Sequence, residues 1–114
     1  MDNNRRRYLD EANTQVKNFM TNNKTLVYYP KDNKRNKLGV IIAYTFGDTL
    51  YMGWSKVNRK GDKFNKAVGL VKAIDRSQPV NPKNFRYVDD LPWSFEYDYV
   101  EMFDRAVRYF KQLA

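Results

Sequence analysis

The side chains with the most scope for chemistry in this chain are its lysines and arginines, and they come in clusters. The densest runs from the end of a β-rich stretch into a helical one: Lys56, Arg59, Lys60 and Lys63, with Lys66 about one turn further on. Gly61 lets the backbone bend sharply inside it. Cations gathered at a helix start, where backbone N–H groups lack intrahelical partners, suit an anion such as a phosphate. Asp62 brings a negative charge to the same place, and the glycine spacing is not that of a Walker loop. The competing reading is a solvated basic loop beside an ordinary capped helix.

A second cluster, Lys31, Lys34, Arg35 and Lys37, is interleaved with Asp32, Asn33 and Asn36. It reads as a flexible finger able to lie along a phosphate backbone, or as a plain surface loop. Arg5, Arg6 and Arg7 form a third group. At the start of a helix they oppose the dipole, so either residues 1–7 fray into a basic arm or the arginines face an anion. Tyr44, Tyr51 and Trp54, with Tyr28, Tyr29 and Phe46, interleave with the basic segments. Such rings either stack on the bases of a single strand or pack the core.

What is missing narrows the chemistry. The chain has no histidine and no cysteine, hence no imidazole base, no thiolate and no zinc site of the usual ligand type. The acidic neighbours Asp89–Asp90 and Asp10–Glu11 diverge from one another on a strand or a helix, unlike the facing carboxylates of acid/base or two-metal sites. The expectation is a binding protein, not an enzyme, with no cofactor and no metal. The formal charge of +8 is uneven: residues 1–76 hold 16 Lys+Arg against 7 Asp+Glu, and residues 77–114 hold 5 against 6. A basic first two-thirds points to nucleic acid, another anionic surface or an acidic protein as partner, or else serves solubility alone.

The elements that must position these residues read as one α+β domain over residues 1–114. A helix spans about Arg5 to Met20, with Tyr8, Leu9, Ala12, Val16, Phe19 and Met20 on one stripe. Strands are expected at Lys24 to Tyr29, Leu38 to Phe46 and Thr49 to Val57, forming a three-stranded antiparallel sheet. Gly47-Asp48 is a hairpin turn with positive φ at the glycine, which sets Tyr44 opposite Tyr51 and Ala43 opposite Met52. Both faces of that hairpin are apolar, so either helices cover both or one meets a partner. A middle helix is expected from Asp62, its N-cap, to Arg76, with Phe64, Ala67, Val68, Val71 and Ile74 inward. Residues 77–93 read as an ordered connection. A long amphipathic helix then runs from about Phe95 to Leu113, capped by Ser94, with Phe103 and Phe110 buried and Glu101 four residues before Arg105. No apolar run is long enough for a membrane span, no secretory signal follows the arginines, and the lack of cysteine fits the cytoplasm.

The set Gly53-Trp54-Ser55, Asn58, Asp62, Phe64, Lys66, Gly69, Ala73 and Arg76, followed by Pro92, Ser94 and an aromatic closing helix, resembles a block in small accessory proteins of tailed bacteriophages. The hairpin around Gly39 is similar to the twisted barrel of KOW and SH3-like modules. The first resemblance implies a phage setting, a host-cell cytoplasm and a host-directed role. Two functions follow as expectations: sequence-nonspecific binding of nucleic acid, DNA before RNA, or inhibition of a host enzyme or antiviral defence complex, in the manner of anti-CRISPR proteins.

Overall fold

Gly47 and Asp48 turn the chain between two eight-residue strands, β2 (Gly39–Phe46) and β3 (Thr49–Lys56). Gly47 has φ of +61° while Asp48 keeps a negative φ, which is the II′ pattern. The turn fixes the register, Tyr44 opposite Tyr51 and Ala43 opposite Met52, as the sequence predicts. These strands lie at the centre of a computed structural model that describes residues 3–57, 64–84 and 86–110, with side chains from Arg7 onward. Around them come helix α1 (Asn3–Asn22), strand β1 (Thr25–Tyr28), helix α2 (Lys66–Asp75), strand β4 (Gln78–Val80), a 3₁₀ turn (Trp93–Phe95) and helix α3 (Glu96–Tyr109).

The sheet is fully antiparallel in the order β1-β2-β3-β4. It therefore has four strands where the sequence predicts three. The extra strand, Gln78-Pro79-Val80, pairs with Leu50 to Met52. Its shortness and its proline disguise it, since proline cannot donate to a ladder and is tolerated only where that donor is not needed, as on an edge.

Helices cover both faces. Ile41, Ala43, Leu50 and Met52 point to α3 and its approach, where Phe95, Tyr99, Met102, Phe103, Ala106 and Phe110 are buried. Val40, Ile42 and Tyr44 point to Leu70 and Ala73 of α2, flanked by Val16 and Phe19 of α1. Two covered faces explain why the hairpin shows no polar alternation. Buried Leu70 replaces Val68 and Val71 as the inward centre of α2. In α1 only Ala12 reaches full burial among the described side chains, and Tyr8 and Met20 of its stripe remain exposed. The backbone of Arg5 to Arg7 lies in the first turns of that helix.

Helix α2 rides unusually close to β3. A Cβ on Gly53 would lie 2.0 Å from the Ala73 carbonyl oxygen, so only glycine fits there. The buried Ser55 hydroxyl donates to the Gly69 carbonyl at 2.7 Å, and the Phe64 ring occupies the space beside Gly69. Past the helix, the Arg76 guanidinium lies 5.0 Å from the Trp54 ring centre, and the Ser77 hydroxyl meets Tyr44.

Two helix starts differ from the sequence reading. The cap of α2 is Asn65, whose side chain accepts from the Val68 N–H at 3.0 Å, and not Asp62, which lies outside the described residues. Asn and Asp are near-equal caps, so the choice between them rests on tertiary packing. Before α3 the chain makes a 3₁₀ turn led by Pro92, and Ser94 caps nothing: its hydroxyl is buried without a hydrogen-bond partner among the described residues. The α-helix ends at Tyr109; residues 111–114 are outside the description.

Candidate functional site

The loop between β1 and β2 is a folded turn where the sequence suggests a flexible finger. The Asp32 carboxylate accepts the backbone N–H groups of Lys34 and Asn36, both at 2.8 Å, and the Asn36 side chain at 3.2 Å. The Asn36 backbone donor, first of all, holds the Asp32 carboxyl below the usual carboxylate range. Arg35 sits at the tip with a φ of 66°. At the base, Lys31 and Lys37 form an antiparallel bridge and the Leu38 N–H donates to the Pro30 carbonyl. The turn thus extends the β1–β2 ladder, with Lys34 and Arg35 exposed at its end.

This construction brings one lysine from each of the two main basic clusters, Lys37 and Lys66, together on one ring. Tyr29 follows β1 on the α2 side of the sheet, where Phe64 meets it edge-on at 5.7 Å between centroids. The Lys37 ammonium lies 5.2 Å from the ring centre and the Lys66 ammonium 5.4 Å, within cation–π range. Directly opposed residues of an antiparallel bridge share a face, so Lys31 stands on the side of Lys37. The close approach of the Lys66 amine, then desolvation, then the charges of Lys66 and Lys31, pull the Lys37 pKa below that of an ordinary lysine. Like charges so placed repel, and an anion between them removes the repulsion.

The arrangement makes its own test. Lys66→Ala is expected to raise the Lys37 pKa toward the ordinary lysine range, because the first cause of its depression is gone. A side-chain NMR titration reads this directly. An unchanged Lys37 would place Lys66 elsewhere.

Lys56 of the predicted set lies apart. Lys56 follows Ser55 in β3, and since Ser55 bonds to α2, strand alternation directs Lys56 to the opposite, α3 face. Arg59, Lys60 and Lys63 are outside the described residues, as are the side chains of Arg5 and Arg6; Arg7 is exposed on α1. Of the aromatics, Tyr44 is buried, with Tyr51 stacked on it at 5.4 Å and Phe19 edge-on at 4.8 Å. Trp54 is half-buried against Phe95, donates to the Asp89 carbonyl at 3.4 Å and carries Arg76. These rings pack, and a base finds no open face on Tyr44. Sequence reasoning passes over the role of Tyr29, although its parity with Val27 places it on the α2 face. It also passes over the two most exposed large aromatics, Trp93 at 84 % and Tyr97 at 75 %.

Asp89 accepts from the Gln78 side chain at 3.3 Å. Among the described residues no cluster of three or more carboxylates, histidines or cysteines could hold a metal ion, and no helix is long and apolar enough to cross a membrane. Compared with known proteins, the chain matches no family model, no curated protein and no solved structure.

Proposed function

We propose that this chain is a non-catalytic accessory protein of phage type that binds nucleic acid, DNA before RNA, through its basic surface and without sequence preference. The observation that carries the reading is the meeting of Lys37 and Lys66, far apart in sequence, on the Tyr29 ring with Lys31 beside them. Ammonium groups on phosphates set position and report nothing about base identity. The cations over Tyr29 and Trp54 favour the phosphate backbone over base stacking as the target. Lys34 and Arg35 at the turn tip extend the positive strip, and Arg59, Lys60 and Lys63 lie between β3 and α2 in sequence.

The test is a salt titration of duplex-DNA affinity. Each phosphate contact contributes about 0.9 to the slope of log affinity against log salt. Lys37→Ala with Lys66→Ala should therefore weaken binding to all sequences alike and flatten the slope by about two. The control is Lys83→Ala, exposed beyond β4, which should change neither quantity. Equal effects of both variants would shift the explanation to bulk charge, and no DNA affinity in the wild type would end the reading.

The second reading, an inhibitor docking on a host enzyme or defence complex, draws on Trp93. A tryptophan left 84 % exposed is the residue type most enriched in binding hot spots. A pull-down from host lysate with nuclease present separates the two: one protein retained through Trp93, with no DNA binding, selects the inhibitor.

A further inference from the structure

Strand β1 is an outer strand of the sheet, and α3 runs beside it, leaving a groove of about 300 Å³ between them. Tyr28 forms one wall; Tyr97, Asp98, Glu101, Arg105 and Arg108 form the other. An outer strand offers unpaired backbone donors and acceptors to a further strand. The helix wall is acidic in its first half and basic in its second. Residues 98 and 108, and equally 101 and 105, are placed symmetrically about position 103.

We propose that the groove is the contact surface for a second copy of this chain, related by a two-fold axis that passes level with residue 103 of α3. An isologous interface must be self-complementary, each patch meeting itself reversed. Reversal of this stripe lays Asp98 against Arg108 of the second copy and Glu101 against its Arg105, and each pair occurs twice. One axis satisfies all four pairs, because both residue pairs share a midpoint. With a rise of 1.5 Å per residue, the four charges of one helix span about 15 Å, well within the length of α3. The same operation makes the two α3 helices antiparallel on one face and turns the β1 edges toward each other.

Two further features agree. Burial, and after it the neighbouring Glu101 carboxylate, pushes the Asp98 carboxyl above the usual range, a state that an arginine from the second copy relieves. Tyr28, also pushed up by burial first and then by Asp98 and Tyr97, and the exposed Tyr97 supply apolar area beside the charges. The lysine pair on Tyr29 lies on the opposite face of the sheet, so this contact leaves it open and is independent of the nucleic-acid reading.

Charge reversal tests the contact. The wild type is expected to sediment at twice the mass of one chain at low salt. Glu101→Arg and Arg105→Glu, each alone and each with unchanged circular dichroism, are expected to sediment as single chains, because each sets like charges against itself. Mixed in equal amounts they should recover the doubled mass, since 101 of one then meets 105 of the other with opposite sign at both positions. A contact within one helix, Glu101 to its own Arg105, is broken in both variants and cannot be rescued by mixing. A wild type at single-chain mass, a reversal that leaves the doubled mass intact, or a mixture that stays at single-chain mass each overturns the proposal.

Discussion

Gly53→Ala should destabilise the protein by about 3 kcal/mol or more, although it adds one methyl group. Overpacking a core ordinarily costs about 1–3 kcal/mol because flexible side chains move aside. Here the obstacle is backbone: the new Cβ would stand 2.0 Å from the Ala73 carbonyl oxygen and 3.0 Å from the Ser77 Cα. Neither can yield alone. Strand β3 is held between β2 and β4, and α2 is tied to it by the Ser55–Gly69 hydrogen bond at 2.7 Å. The whole helix must lift, which opens the cluster of Leu70 and Ala73 on Val40 and Ile42. Against a total stability of about 5–15 kcal/mol this is a large fraction. Chemical denaturation measures it, and an unfolding free energy within a few tenths of a kcal/mol of wild type would show that α2 does not sit as described.

Phe95→Ala should cost about 3–5 kcal/mol, the range for removing a fully buried phenylalanine. Its ring is 0 % exposed, meets Trp54 edge-on at 6.4 Å and reaches under Gly39, so it joins the start of α3 to two central strands. Trp93→Ala, two residues away, removes a larger ring that is 84 % exposed and should move stability by no more than about 0.5 kcal/mol. The pair separates core from surface within one turn. Similar losses in both variants would mean that Trp93 is packed, and the case for it as a contact residue would fail.

How far the sequence reaches can be judged from particular residues. The Gly47-Asp48 turn dictates a register that the structure keeps residue by residue, because a two-residue hairpin leaves no freedom to slip. The apolar residues on both sides of β2 and β3 announce either covers on both faces or a partner on one, and α1 with α2 and α3 provide the covers. The fourth strand is hidden by Pro79, and the start of α2 by the equivalence of Asp62 and Asn65 as caps. In the site, each basic cluster is legible as a run of charge. Their meeting on Tyr29 is not, since it depends on a ladder that continues to Lys31 and Lys37 and on where α2 begins.

The block from Gly53-Trp54-Ser55 to Arg76 has a structural meaning of its own. Gly53 faces Ala73, Ser55 holds Gly69 beside Phe64, and Trp54 carries Arg76. Its spacing is thus the register of a helix on a strand. Lys66 and Phe64 also reach out of the block, both to the Tyr29 ring.

The proline in β4 has a consequence for assembly. A sheet with two equivalent open borders can add copies without end, and that is the route to fibrils. At one border here, Pro79 supplies no N–H, and Gln78 reaches back to Asp89, which also anchors Trp54. The β4 border is therefore a poorer template for a further strand than the β1 border, on which the proposed second copy would lie. Pro79 is the residue that makes the two borders of the sheet unequal.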